Sequence, residues 1–172
     1  MSPAPTAAFS CLPAEPGLLI QTSDDRSQDL RVWIHGSGGT AAKAEIQRQF
    51  DYAVRQVIKQ GRPAYRPKKG CAYRMEKGDT TLKCAVGWLI PDSYFKKHPE
   101  HVFDKVVKEL NPSVYSYPRM KPFAHNRNIL ESLQQAHDDA AESAGSGAAF
   151  ATDFLLNVRQ VAHEHGLKWN FK

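Results

Sequence analysis

Cysteine is scarce in this sequence and long apolar runs are missing from it, and both absences exclude whole classes of protein. Only three of the 172 residues are cysteines, and such a small, odd number argues against a secreted domain held together by disulfides. No stretch approaches the roughly 18 consecutive apolar residues of a membrane-spanning helix. The first 17 residues lack the basic start and continuous apolar segment of a secretory signal. We therefore expect no membrane association and a cytoplasmic location.

Two short binding signatures are also missing. The stretch Gly36-Ser37-Gly38-Gly39 separates a predicted strand from a predicted helix, as a phosphate-binding loop does. However, it lacks the Lys and Ser/Thr of a Walker motif. The sequence also has no C-x-x-C pair of the kind found in zinc knuckles. We interpret the glycines as a flexible joint, and we expect the protein to contain no cofactor.

Positive charge is abundant and unevenly distributed. The whole chain has a net charge of +5. Residues 55–83 alone hold nine lysines and arginines against two acidic residues, which is a local charge of +7. Such a concentration attracts acidic macromolecules. It leaves two partner classes open, an acidic protein surface and nucleic acid.

Helical and strand patterns together predict an α+β fold, with four main helices packed around a small antiparallel β-hairpin or sheet. The helices are expected over residues 41–60, 99–110, 126–139 and 150–165. We expect residues 1–40 to form an N-terminal arm, with a possible hairpin whose strands cover 17–21 and 30–35. Residues 41–172 would form a helical domain with a central hairpin at 70–91.

The central hairpin has one cysteine in each predicted strand. Cys71 lies in the first strand, and Cys84 lies in the return strand over residues 82–90, which is the most apolar run of the chain. Gly78 and Asp79 form the tip of the turn. The cysteines could be buried structural side chains, a redox pair, metal ligands or a catalytic nucleophile with its base.

Three further residues could bind a metal ion. His137 and Asp138 end one predicted helix, and His163 lies in the last turn of another. A divalent ion would be coordinated if those helix ends met. The alternative is that these polar side chains are solvated or hydrogen-bonded at the helix ends.

The basic loop before the hairpin is the strongest functional signal. Cationic and aromatic side chains alternate there, as they do on surfaces that bind single-stranded nucleic acid. An acidic protein partner would select the same surface, and a solvated basic loop without a partner is the remaining interpretation. One basic residue of the strand, Arg74, is expected instead to pair with Asp92 or a helix carboxylate. The expected partner-binding residues are Arg62, Tyr65, Arg66, Lys68, Lys69 and Lys77.

Three motifs stand out in the chain: C-A-Y-R at 71–74 with K-C-A-V-G-W-L-I-P-D at 83–92, L-Q-Q-A-H-D at 133–138 and V-A-H-E-H-G-L at 161–167. They resemble those of a family of small phage and bacterial proteins without an assigned activity. The similarity covers about residues 44–167, and the first forty residues look like an addition. Trp88 occupies a position where the family pattern favours a smaller residue. The resemblance implies a phage or bacterial origin, a cytoplasmic accessory role, and a single unit that contains both the hairpin and the His-Asp helix.

These observations predict a non-enzymatic interaction protein, encoded by a phage, that modulates its host by binding a host or phage macromolecule through the basic loop and hairpin face. Nucleic-acid binding by the same face is the first alternative. A metal-dependent or thiol-dependent enzyme is the second. The sequence predicts neither the identity of the partner nor the oligomeric state.

Overall fold

A computed structural model describes residues 26–66, 70–100 and 107–171, and from residue 39 onward it also describes the side chains, except that of Lys108. This part of the chain contains four α-helices and two small antiparallel sheets, so the predicted α+β fold is confirmed. Single-turn 3-10 helices occur at Val107–Glu109, Pro112–Ser116 and Lys121–Phe123. The main elements are α1 (Arg26–Gln60), β1 (Tyr65–Arg66), β2 (Gly70–Cys71), β3 (Met75–Lys77), β4 (Thr80–Leu82), α2 (Asp92–Lys97), α3 (Arg127–Ala144) and α4 (Ala148–Glu164).

Helix α1 ends where the sequence predicts, but it begins earlier. Its apolar stripe, which includes the fully buried Phe50 and Val57, packs into the core. Gly61 follows the last turn with φ +66°, and its N–H donates to the Val57 carbonyl oxygen at 3.0 Å. This conformation suits glycine and stops the helix.

The strand predicted at residues 30–35 and the joint at 36–39 are wrong, because both stretches lie within α1. A short apolar run cannot be assigned to strand or helix by periodicity alone. Glycine costs a helix only about 1 kcal/mol per residue, so the glycines do not by themselves end it. The partner strand predicted at residues 17–21 lies outside the described residues, and the division of the chain near residue 40 stays a prediction.

The single long hairpin predicted at residues 70–91 is divided into smaller parts. Strands β1 and β2 pair with Tyr65 opposite Cys71, and β3 and β4 pair with Met75 opposite Leu82. The tight turn between β3 and β4 contains Gly78, whose φ is +60°, as the sequence predicts. The predicted antiparallel pairing is present, but the strands are shorter than expected, with two or three residues each.

The apolar run after β4 is a buried chain of turns, which corrects the predicted return strand. The N–H of Trp88 donates to the Cys84 carbonyl oxygen at 3.1 Å, and that of Leu89 donates to the Val86 carbonyl oxygen at 2.9 Å. These local bonds replace a strand ladder. The segment stays attached to β2 through one bond, from the Cys84 N–H to the Ala72 carbonyl oxygen at 3.3 Å.

Helices α3 and α4 form an antiparallel pair that packs against α1. Their contact includes Phe150 and Phe154 of α4, which stack at 5.9 Å and both meet the ring of His137 edge-on. The helix predicted at 99–110 is described only in part, because residues 101–106 lie outside the described chain, and its end is a 3-10 turn. Within the described ranges, no helix is both long and apolar enough to span a membrane.

The last residues return to α1 and cover its side. Gly166 ends α4 with φ +60°. The side-chain amide of Gln47 then bonds to both backbone groups of Lys168, at 3.0 Å and 2.7 Å. Trp169 and Phe171 pack beside the core, so the segment after α4 docks on the rest of the domain.

Among the described glycines, Gly87 has the least space for a side chain. A Cβ atom there would lie 1.8 Å from the carbonyl oxygen of Tyr73, and a backbone atom cannot move aside as a side chain can. We expect Gly87→Ala to reduce the free energy of unfolding by about 3 kcal/mol, as severe overpacking does. Urea unfolding measures this change.

Gly39→Ala provides the matched control, because a Cβ at Gly39 in α1 meets nothing within 4 Å. It should stabilise the protein by up to about 1 kcal/mol. Equal effects of the two substitutions would show that the close approach at Gly87 does not constrain the fold.

Candidate functional site

An open depression gathers three of the six residues predicted to bind a partner. Arg62, Tyr65 and Lys77 line one cavity with a volume of about 500 Å³, together with Met75 and Glu142. Met75 adds an apolar surface to the lining, and Glu142 adds one carboxylate. The remaining lining residues are Pro63, Ala141, Gly145 and Ser146.

The depression is lined by residues of the loop after α1, of β1, β3 and α3, and of the loop after α3. Arg62 lies two residues beyond the end of α1, and next to it the N–H of Gly147 donates to the Gly61 carbonyl oxygen at 3.1 Å. This bond fixes the end of α1 against the loop between α3 and α4. Tyr65 comes from β1 and Lys77 from the end of β3. The depression is therefore built on short elements that are anchored to helices.

Tyr65 is connected to α3 by a strong hydrogen bond. Its hydroxyl donates to Oε1 of Glu142 at 2.6 Å. The pKa of Tyr65 is raised to about 12. The largest cause is this bond to the carboxylate, and desolvation and the negative charges of Glu142 and Asp138 add smaller contributions. The phenol therefore stays protonated at physiological pH and holds the Glu142 carboxylate at the wall of the depression.

A second depression lies on the other side of Arg62. It has a volume of about 350 Å³, and it is lined by Lys59, Arg62 and Trp88. The hairpin of β3 and β4 contributes to both cavities, since Lys77 lines the first and Thr80 lines the second. We call the surface formed by Lys59, Arg62, Tyr65, Lys77 and Trp88 the basic face.

The other predicted partner-binding residues are placed only in part. Arg66 is exposed in β1 next to Tyr65. Lys68 and Lys69 lie outside the described residues, so their role stays a prediction. Among the described residues, the cations that line the two depressions are Lys59, Arg62 and Lys77.

Arg74 and Lys83 belong to a partly exposed ion-pair group around Asp92 and not to the basic face. Nε of Arg74 lies 3.1 Å from Oδ1 of Asp92, and Nζ of Lys83 lies 2.8 Å from the same oxygen. The predicted pairing of Arg74 with Asp92 is therefore confirmed. Burial raises the pKa of Asp92, but the hydrogen bonds and charges of Lys83 and Arg74 outweigh it and hold the pKa below its ordinary value of 3.8.

The interior contains a second group of side chains that could bind a metal ion, where β2 meets α3. Ligand atoms of Cys71, His137 and Asp138 lie within 4.8 Å of one another. Nδ1 of His137 lies 3.2 Å from Oδ1 of Asp138. The two metal candidates on α3 therefore meet a cysteine from the hairpin region, which agrees with the expectation that both belong to one unit.

His163 does not belong to this group. It is exposed in the last turn of α4, whereas His137 is fully buried beside Phe150 near the other end of that helix. The antiparallel pairing of α3 and α4 separates the two histidines, so the predicted combination with His163 is not formed. The sequence did not indicate Cys71 as the partner, because the contact joins residues far apart in the chain.

Cys71 is poorly suited to act as a nucleophile in this state. Its side chain is buried, and both Cys71 and Cys84 are free thiols. Burial raises the pKa of the Cys71 thiol, and the neighbouring Cys84 and Asp138 raise it further. A reactive cysteine needs the opposite, an accessible thiol with a lowered pKa.

Comparison with known proteins adds no assignment. No family model matches the chain, no curated protein matches it and no solved structure matches it. The functional argument therefore depends on the chain's own residues.

We expect Asp92→Asn to reduce the free energy of unfolding by about 1 kcal/mol at pH 7, because Asp92 is more than half exposed and its pairs are partly screened. The lowered pKa means that the ionised carboxylate stabilises the fold above the ordinary value of 3.8 and stops doing so as the pH falls through the folded-state pKa. The variant and the wild type should therefore converge in strongly acidic solution.

Thermal unfolding between pH 2 and pH 7 measures this difference. Glu76→Gln is the control, since Glu76 is equally exposed, forms an ion pair with Arg74 and accepts the Thr81 hydroxyl, whereas Asp92 has two cationic partners; the effect of Glu76→Gln should be smaller. A constant difference between Asp92→Asn and the wild type at all pH values would contradict the assignment.

A spectroscopic titration tests the contact between Tyr65 and Glu142. Glu142→Gln removes the negative charge, so we expect the pKa of Tyr65 to fall from about 12 toward its ordinary value of 10.0. Ultraviolet absorbance of tyrosinate reports this change, and Tyr65→Phe identifies which part of the curve belongs to Tyr65. Superimposable curves for the wild type and Glu142→Gln would rule out the contact in solution.

Proposed function

We propose that the protein is a non-enzymatic interaction protein that binds an acidic segment of another protein through the basic face. The observation that carries the proposal is the convergence of Arg62, Tyr65 and Lys77 on one open depression. An open cavity lined by both cationic and apolar residues can accept a chain that carries both carboxylates and an apolar side chain. Such surfaces attract their partners by charge and hold them by burial.

The apolar part of the lining, which includes Met75, favours a protein partner. Met75 is half-buried beside the core and also lines the depression. Methionine adapts to partner side chains of different shapes, because its chain is unbranched and its sulfur is polarisable. We therefore expect the bound segment to place one apolar side chain against Met75 and acidic residues near Arg62 and Lys77.

Glu142 disfavours the nucleic-acid alternative. Its carboxylate lines the depression, where a phosphate backbone would experience repulsion. Glu76 and Asp79 are exposed on the adjacent hairpin and add further negative charge. Surfaces that follow a nucleic-acid backbone are positive along their whole length, whereas a protein partner of mixed charge can pair with both signs.

The origin implied by the sequence resemblance suggests where the partner is found. A cytoplasmic accessory protein of a phage would meet acidic host or phage proteins in the cytoplasm of the host cell and modulate the host by binding them. The enzyme alternative receives less support, because the thiol of Cys71 is buried and its pKa is raised.

The test compares a double charge reversal with a matched control. Arg62→Glu/Lys77→Glu reverses two cations of the depression, while Arg159→Glu/Lys121→Glu reverses two exposed cations on α4 and a distant 3-10 helix. The partner is identified by affinity capture from bacterial lysate and mass spectrometry, then purified. We expect its dissociation constant to rise by about tenfold or more for the first variant, and to change by less than about twofold for the second.

Circular dichroism and thermal unfolding must show that both variants are folded. Unchanged partner binding by folded Arg62→Glu/Lys77→Glu would overturn the proposal. Labelled single- and double-stranded DNA and RNA oligonucleotides are titrated at two salt concentrations in parallel. Specific binding to them with a steep salt dependence, and lost in the same variant, would assign the basic face to nucleic acid.

A further inference from the structure

A thiol, an imidazole and a carboxylate converge in the interior with the spacing of a metal site. The Sγ atom of Cys71, a ring nitrogen of His137 and a carboxylate oxygen of Asp138 lie within 4.8 Å of one another. Ligand atoms of a tetrahedral zinc ion are about 3.3–3.8 Å apart, because zinc–ligand bonds are about 2.0–2.3 Å long. Side-chain movements of roughly 1 Å therefore suffice for the three groups to bind one ion.

A fourth donor lies next to the cluster. The N–H of Cys84 bonds to the carbonyl oxygen of Ala72, the residue after Cys71, at 3.3 Å, so the two cysteines come from adjacent stretches of chain. Sγ of Cys84 also accepts the N–H of Gly87 at 3.3 Å, which fixes the position of the sulfur. Two sulfur donors, one imidazole and one carboxylate make a donor set that suits zinc better than the hard cations magnesium or calcium.

His137 provides an independent indication of a bound group. The side chain is fully buried, and Nε2 makes no hydrogen bond to any of the described residues. A buried polar atom without a partner is unfavourable, and in native proteins it commonly marks an ion or a water molecule. The ring is also fixed in orientation by its edge-on contacts with Phe150 and Phe154.

We propose that Cys71, His137 and Asp138 bind one structural zinc ion and that Cys84 supplies the fourth ligand. On binding, the ion replaces the thiol protons of both cysteines, which pass to the solvent, and it is coordinated by a ring nitrogen of His137. Because Cys71 and His137 are buried, the ion has no access to a substrate and its role is to stabilise. It would join β2 and the turns after β4 to α3, and this role is independent of the proposed partner binding.

The experiment uses the full chain without a polyhistidine tag, purified without chelators from cells grown with added zinc. Elemental analysis should give about one zinc per chain. Cobalt(II) should replace the zinc and produce the absorption band of a cobalt–thiolate bond. Removal of the metal should lower the unfolding temperature, and zinc should restore it.

Variants assign the ligands. Cys71→Ser and Asp138→Asn should reduce bound zinc well below one per chain. Cys84→Ser should weaken the cobalt–thiolate band and leave at least about half of the zinc bound. His163→Gln removes an exposed histidine outside the cluster and should leave the zinc content unchanged. If Cys71→Ser does not fold, the wild-type cobalt spectrum and Asp138→Asn still decide the matter.

Two results would overturn the proposal. Wild-type protein could contain negligible zinc, bind no cobalt through sulfur and unfold at the same temperature with and without added zinc. Alternatively, Cys71→Ser and Asp138→Asn could retain as much zinc as the wild type. Either result would show that the cluster is a hydrogen-bonded part of the core.

Discussion

The close approach of Gly87 to the backbone of Tyr73 is the constraint on which the centre of this fold depends. The turns after β4 can lie directly against the chain that follows β2 only because no side chain stands between them. That approach places Cys84 beside Cys71 and allows the N–H of Cys84 to bond to the Ala72 carbonyl oxygen. The interior cluster and the shape of the second depression therefore follow from the absence of one Cβ atom.

Helix α3 organises what lies around this contact. Gln134 accepts the hydroxyl of Tyr73, and Glu142 accepts that of Tyr65. Between them, one turn from each, His137 and Asp138 face Cys71. Residues spaced by four fall on the same face of a helix, so one face of α3 forms successive polar contacts with the irregular region that contains β1 and β2. The outermost contact reaches the solvent-exposed depression, and the middle one stays inside the core.

The features that were predictable from sequence depend on local chemistry. The apolar stripes of α3 and α4, the glycine that ends α1 and the tight turn at Gly78 all have signatures within a few residues. The ion pair of Arg74 with Asp92 joins positions 18 apart, and it is predictable because an arginine inside a strand is expected to pair with a carboxylate. The strand predicted for residues 82–90 failed, because burial on all sides gives the same apolar run to a strand and to a chain of turns. The meeting of Cys71 with His137 depends on how distant elements pack, and no local pattern encodes it.

The docking of the terminal segment on α1 affects how the protein folds during synthesis. The side-chain amide of Gln47 pairs with the backbone of Lys168 across 121 positions of the chain, and Asn170 donates to Asp51 on the same helix. A contact between such distant positions forms late, because the closure of a long loop must precede it. During translation, one side of α1 therefore stays uncovered until residues 167–171 have been synthesised and can dock on it.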